Sequence, residues 1–130
     1  MLIRRAALVL RIEAMLLFFL SIALVANPEI ATKYLGFPLT TVTAEVKWTF
    51  RVIGVLLLLP ALLAPLVAAF AGERGLRQAA AGMAFISLGV GTVSLIAPVG
   101  LSFSTLTTAA VWYFFALLYF YALRGRGRNR

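Results

Sequence analysis

The chain contains no cysteine and no histidine among its 130 residues. Disulfides, thiol redox chemistry and thiolate or imidazole metal sites are therefore excluded, as is the usual axial ligand of a membrane haem. Cys–His pairs and Ser–His–Asp triads are excluded too, because each requires an imidazole. We therefore predict that the protein is not an enzyme and that it holds no metal and no cofactor.

Acidic residues are also scarce. Four Asp and Glu stand against 12 Lys and Arg, so the net charge is +8, and only 12% of the residues are charged while 63% are hydrophobic. The mean hydropathy of +1.03 is too high for a soluble domain of this size, so the natural solvent is a bilayer. The basic residues lie at the ends of apolar segments, where they orient helices and meet anionic headgroups, so we expect no nucleic-acid partner.

Apolar runs predict four membrane-spanning helices, at about residues 6–26, 43–70, 79–98 and 104–123. As a helix the first run is roughly 30 Å long, about the hydrocarbon thickness of a bilayer. A basic start before an apolar run also describes a signal peptide, but Leu24 stands where a cleavage site needs a small residue, so we expect the segment to be retained. The predicted fold is an all-α integral membrane four-helix bundle of antiparallel up-down hairpins, a single domain over residues 1–130.

The first loop contains a helix signal of its own. Asn27 is a candidate N-cap and Pro28 a candidate first helical residue, and Gly36 follows. We predict a short interfacial helix over residues 28–35, lying on the outer membrane surface.

Two further features concern the connections. Pro60 and Pro65 each remove a backbone donor, so we expect the second span to be kinked or broken near its middle. The polar run 72–78 predicts a tight basic loop between the second and third spans.

The orientation follows from charge. Four spans place both termini on one side, together with the tail 124–130, and that side collects most of the basic residues: Arg4, Arg5, Arg11, Arg74, Arg77, Arg124, Arg126, Arg128 and Arg130. The other side collects only Lys33, Lys47 and Arg51. The positive-inside rule therefore predicts that both termini are cytoplasmic, in a cell membrane of the prokaryotic type.

Glu13 is the residue most open to a functional interpretation. It lies roughly 10 Å below the cytoplasmic surface by helical rise, where a carboxylate is costly unless it is protonated, paired or beside a wet cavity. It is a candidate for handling a proton or a ligand. The structural alternative is an ion pair with Arg74, Arg77 or Arg124, since Arg11 points to nearly the opposite face of the helix.

The third span carries small residues at steps of four, three, four and three. Such a stripe lets two helix backbones approach closely, inside this bundle or against a neighbour. Its members are Ala80, Ala84, Ser87, Gly91 and Ser94.

Three other residues are candidates for lipid or hydrophobic-ligand binding. Arg51 either extends to the outer headgroups or forms an anion pocket with Lys47, one turn away. Trp112 and Tyr113 fall near mid-bilayer, where they line a hydrophobic-ligand pocket or pack in the core. Tyr119, by contrast, fits an aromatic belt at the cytoplasmic interface.

Two family resemblances rest on these residues. The size, the four spans and the first-helix glutamate are similar to the small multidrug resistance transporters, which implies that Glu13 couples protons to export. The longer outer loop and the prolines of the second span depart from that pattern. The Asn-Pro after the first span, the Leu-Gly-Phe-Pro loop and the run Arg-Val-Ile-Gly-Val-Leu-Leu-Leu-Leu resemble DoxX-like small membrane proteins. That resemblance implies a four-helix fold and almost no mechanism.

The favoured hypothesis is a non-enzymatic accessory or structural subunit of a larger membrane assembly, because no catalytic constellation is present. The alternatives are a proton-coupled transporter that acts as a homo-oligomer through Glu13, and a protein that binds a lipid or another hydrophobic ligand. The expected partners are membrane lipids, including anionic headgroups, and other membrane subunits or further copies of the chain.

Overall fold

The computed structural model describes residues 2–96 and 100–124, without the side chains of residues 2, 3 and 39. Over these ranges the chain has five α-helices, a short 3₁₀ helix and no strand. The helices are α1 (Leu2–Ala26), α2 (Pro28–Tyr34), α3 (Ala44–Phe70), α4 (Glu73–Leu95) and α5 (Phe103–Leu123), with the 3₁₀ helix at Leu39–Thr41. All except α2 are long and apolar enough to cross a membrane. The prediction of an all-α chain with four such segments is confirmed.

Local chemistry accounts for the helix starts. The Thr43 hydroxyl accepts a hydrogen bond from the Val46 N–H at 3.4 Å and so caps α3. Ser102 and Thr105 form a reciprocal capping box at the start of α5. Asn27 occupies the N-cap position of α2, but its side chain makes no capping hydrogen bond, and Pro28 starts the helix by its fixed φ.

The predicted loop over residues 72–78 is wrong, and of the two alternatives for the second span, kinked or broken, the break is wrong. Residues 73–78, predicted as a loop, form the first turns of α4, with Gly72 as its N-cap. α3 continues through Pro60 and Pro65. Packing along this stretch, where Ala61 and Ala64 are buried, supports the helix although each proline lacks a donor. The predicted end of the third span, Pro98, lies outside the described residues.

The helices form two closely packed pairs. α1 packs mainly against α3, and α4 packs mainly against α5, while α1 also contacts both α4 and α5. α1 and α3 run antiparallel, because Ser21 meets Gly54 while Leu17, one turn earlier on α1, clusters with Ala61, further along α3. The main core lies where α1 meets the second pair, and it includes Leu10.

The tightest helix–helix contact is at Gly54. Its carbonyl oxygen accepts a 2.5 Å hydrogen bond from the Ser21 hydroxyl, which is buried. A Cβ atom at Gly54 would lie 2.9 Å from Val25 Cγ2 and 3.0 Å from Leu24 Cβ. Only glycine therefore lets α1 and α3 approach to this distance.

α2 is held against the start of α3 by an ion pair. The Lys47 ammonium lies 2.5 Å from Glu29 Oε1, with both side chains partly exposed, and its hydrogen bond lowers the pKa of Glu29 below the ordinary value. On the inner side of α2, Thr32 is buried and its hydroxyl donates to the Glu29 carbonyl at 2.8 Å. These contacts fix α2 at the end of the α1–α3 pair.

We expect Gly54→Ala to separate α1 from α3, because the added methyl overlaps backbone and side-chain atoms of α1. The free energy of unfolding should fall by about 1–3 kcal/mol, the range for overpacking a tight contact. Equilibrium unfolding in mixed micelles would measure it. Gly82→Ala, where an added Cβ meets nothing within 4 Å, is the matched control and should leave stability essentially unchanged. Equal stability of the two variants would contradict the assigned contact.

Candidate functional site

Glu13 lies at the centre of a three-helix hydrogen-bond cluster. Its side chain is 0% exposed. The Ser87 hydroxyl of α4 donates to Oε1 at 3.1 Å, and the Tyr119 hydroxyl of α5 donates to Oε2. Both carboxyl oxygens therefore accept a hydrogen bond, each from a different helix, and the cluster links α1, α4 and α5.

Small side chains bring these helices within reach of one another. A serine hydroxyl reaches only a short distance, so α4 must approach α1 closely at Ser87 for the contact to form. Ala80 and Ala84, on the same face of α4, are 0% and 1% exposed. On α5, Ala116 and Ala122 flank Tyr119 in the interior, and Tyr119 is itself fully buried. The alanines leave room for the two larger polar groups, Glu13 and Tyr119.

The predicted arginine partner of Glu13 is wrong. Within residues 2–96 and 100–124, Glu13 forms no ion pair, and its hydrogen-bond donors are hydroxyl groups. The reason is depth, since Ser87 lies thirteen residues along α4 from Arg74, roughly 20 Å by helical rise. The prediction for Tyr119 is wrong too. Its polar hydroxyl suggested an interfacial belt, but the side chain is buried in the core.

The small-residue stripe of α4 faces the inside of this chain's own bundle. Ala80, Ala84, Ser87 and Gly91 are buried, and Ser94 is half-buried with its hydroxyl donating to the Val90 carbonyl at 2.8 Å. The open question of whether the stripe meets its own bundle or a neighbour is thus answered for four of its five members. Those four residues are not available to a partner helix.

Tyr113 takes part in the same packing. A Cβ atom at Gly91 would lie 3.1 Å from Tyr113 Cε1, so the ring sits directly over the glycine. The phenol oxygen is 3.0 Å from Thr92 Oγ1. Tyr113 therefore stabilises the α4–α5 pair, and its candidate role in ligand binding is not supported by its position.

Arg51 is exposed on α3, away from Glu13. Its candidate partner in an anion pocket, Lys47, is engaged by Glu29. The geometry thus favours the extended, headgroup-facing alternative for Arg51.

A cavity of about 560 Å³ extends from Glu13 to α2. Its deep end is formed by Glu13, Leu17, Met83 and Trp112, and its other end is closed by α2. Nearly all lining side chains are apolar; the polar groups are Glu13, Asn27, Tyr34, Thr108 and the indole of Trp112. Trp112, 9% exposed, therefore lines the cavity, while its candidate role in ligand binding stays a prediction.

The composition of the cavity lining is chiefly apolar. In the described part of the chain, no group of three or more acidic residues could hold a metal ion. Glu13 has no second carboxyl group beside it. The cavity surface is apolar, and the fully buried Glu13 is among the residues at its deep end.

Sequence reasoning identified Glu13, Ser87 and Trp112 but missed that Ser87 contacts Glu13 and that Trp112 lines a cavity with it. It assigned Tyr119 to the wrong place and did not identify Met83. A signal for Tyr119 was present. Trp112, Phe115, Ala116 and Tyr119 follow the steps of three and four that define one helix face, and all four are buried.

Comparison with known proteins gives no assignment: no family model, no curated protein and no solved structure matches the chain. The resemblances to DoxX-like proteins and to small multidrug resistance transporters therefore stay predictions.

We expect Tyr119→Phe to lower the free energy of unfolding by about 1–3 kcal/mol, because a buried carboxyl oxygen loses its donor while the ring still fills its space. Tyr121→Phe is the matched control, since Tyr121 is exposed on the same helix, and it should change little. A double-mutant cycle with Glu13→Leu, which removes both acceptor oxygens, would isolate the coupling, for which we expect at least about 0.5 kcal/mol. Additive effects would show that the two groups do not interact.

Proposed function

We propose that this small membrane protein binds a lipid-like hydrophobic molecule in the cavity between Glu13 and α2. The observation that carries the proposal is an apolar cavity that ends on a buried carboxyl group. Its volume of about 560 Å³ falls within the usual range for small-molecule sites. The apolar body of the ligand would contact Leu17, Leu57 and Trp112, and its polar end would lie at Glu13.

Glu13 has capacity left for a ligand. A carboxylate offers about four acceptor positions, and Ser87 and Tyr119 occupy two of them. A hydroxyl or amide N–H on the ligand would be a suitable donor to a remaining position. This polar contact selects an amphiphile over a plain hydrocarbon, because a hydrogen bond in a low-dielectric site is stronger than in water.

Access from the bilayer is also supported. Leu20 of α1, Ile53 of α3 and Ile86 of α4 line the cavity, and all three are also exposed on the outer surface of the bundle. The cavity therefore borders the surface that would face the lipid. A molecule dissolved in lipid would reach the cavity sideways without crossing water, and α2 covers the end of the cavity.

The other two hypotheses receive less support from the geometry. The accessory role was predicted because the sequence has no catalytic constellation, and four of the five α4 stripe residues that were expected to offer helix contacts are buried inside the bundle. A proton-coupled transporter would use Glu13 as well, but it needs access to Glu13 from each side of the membrane in turn, and no contact within residues 2–96 and 100–124 indicates such a change. Both hypotheses stay predictions.

We also propose that both termini are cytoplasmic and that α2 lies at the outer interface. Support comes from the segregation of charge: Arg4, Arg5, Arg74 and Arg77 belong to the helix ends at one end of the bundle, whereas α2 follows the other end of α1. The positive-inside rule assigns the arginine-rich end to the cytoplasm.

The ligand proposal is tested with Trp112 fluorescence. In a Trp48→Phe background, Trp112 is the only tryptophan left. A fatty alcohol brominated on its chain should quench it saturably, and more tightly than the matching brominated alkane, by about threefold to tenfold for one added hydrogen bond.

The control for that test is a matched pair of substitutions. Ala23→Leu fills the cavity, whereas Ala110→Leu adds the same bulk to an exposed position of α5 outside it. We expect Ala23→Leu to weaken binding roughly tenfold, a steric cost of about 1.4 kcal/mol, and Ala110→Leu to leave it unchanged. Non-saturable quenching, or equal behaviour of the two variants, would refute the cavity as the binding site.

The orientation is tested with introduced cysteines, which are unambiguous because the chain has none of its own. We expect Gly72→Cys to react with a membrane-impermeant maleimide only after the cells are opened, and Thr40→Cys to react in intact cells. The reverse pattern would show that the chain is inserted the other way round.

A further inference from the structure

A second cavity lies at the arginine-rich end of the bundle, away from Glu13. It has a volume of about 650 Å³ and is lined by Glu73, Arg74, Arg77, Gln78, Ala81 and Leu123. Arg74, Arg77, Gln78 and Ala81 follow steps of three, one and three along α4, so they share one face of that helix. The buried stripe of α4 occupies another face, and this one is left to the surface.

The charge of this end is strongly positive. Arg4 and Arg5 at the start of α1 and Arg124 at the end of α5 are exposed there, and Arg5 lies 5.7 Å above the ring of Tyr121. Of the other three acidic residues, Glu13 is buried in the core, and Glu29 and Glu45 belong to α2 and the start of α3 at the opposite end. Glu73 is thus the one carboxylate among the described residues to offset several guanidinium groups.

Arg74 and Arg77 retain hydrogen-bonding capacity. Within residues 2–96 and 100–124, the side chains of these two arginines form no ion pair and no hydrogen bond with the protein. Arg77 is half-buried, so part of its orientation is already fixed by packing. Two guanidinium groups one turn apart present planar forks of donors, which match the oxygens of a phosphate group.

We propose that this cavity binds the headgroup of an anionic phospholipid, with the phosphate between Arg74 and Arg77. The wall of the cavity that lies deeper along α4 is apolar, and this favours a lipid as the ligand rather than a soluble phosphate. Ala81 lies seven residues beyond Arg74, roughly 10 Å deeper along α4, and Leu123 faces it from α5. The cavity therefore passes from charged to apolar walls over the depth at which a headgroup passes into acyl chains, and the Gln78 amide lies between.

This site is independent of the Glu13 cavity, which is lined by different residues and ends on a carboxyl group. A lipid at the arginine-rich end would bind by charge, whereas a ligand at Glu13 would bind by apolar contact. Loss of one should leave the other intact.

Native mass spectrometry of the full chain with added phosphatidylglycerol or phosphatidylcholine would test the proposal. We expect phosphatidylglycerol to bind more tightly, and the double variant Arg74→Gln/Arg77→Gln to weaken it about tenfold while phosphatidylcholine is unaffected. The matched control is Arg11→Gln/Lys33→Gln, which removes the same charge from residues that do not line the cavity and should keep phosphatidylglycerol binding.

Two further outcomes discriminate the source of the phosphate and the role of geometry. Soluble glycerophosphate should not displace the lipid, and displacement at comparable concentration would show a site for free phosphate instead. Arg77→Lys, which keeps the charge but loses the fork, should bind with intermediate affinity, and its helical circular dichroism should match that of the unaltered chain. Equal losses in the two double variants would show that only net charge matters and would overturn the proposal.

Discussion

A carboxyl group removed from water constrains this bundle more than any other single feature. Burying such a group is costly unless its oxygens find donors, and in this chain the donors come from two other helices. The Ser87 hydroxyl reaches Glu13 only if α4 approaches closely, which requires the alanines of the α4 stripe. The Tyr119 hydroxyl reaches it only if α5 turns its largest polar side chain inward. The rotation of three helices about their axes is therefore coupled to one residue of α1.

The cavity follows from the way the two helix pairs meet. α1 is close to α3 at Gly54 and close to the second pair at Glu13, so it serves both. α3 makes few contacts with α4, because both are packed on other neighbours. Towards α2 the space between them is open, and Trp112 and Met83 line it. The hydrogen-bond cluster around Glu13 thus lies at the deep end of the cavity, and the packing of the helices on this cluster leaves the cavity open.

Hydropathy predicted the four long helices because apolar length is a property of local sequence. It missed the first turns of α4, since hydropathy detects the part of a helix that lies in hydrocarbon, and residues 73–78 are polar but helical. The depth of Glu13 along the first span showed that burying its carboxyl group is costly. The predicted arginine partner was wrong, because the depth and rotation of one helix relative to another are set by tertiary packing. Tyr119 was placed at the interface by residue type, although its spacing from Trp112 indicated the buried face. Helix spacing was the better guide there, because every large side chain on that face of α5 is held inside by the same contacts.

The two cavities differ in the charge of the residues that line them, and this difference would restrict the ligands proposed for each. A fatty acid or another anionic amphiphile in the Glu13 cavity would place a second acidic group beside the first, and no Lys or Arg among the described residues pairs with Glu13 to balance it. At the arginine-rich end the same molecule would meet Arg74 and Arg77. Under the two proposals, neutral amphiphiles with a hydrogen-bond donor would therefore bind in the first cavity and anionic ones in the second. The two sites would differ because Glu13 is buried in the core whereas Arg74 and Arg77 lie at the end of the bundle.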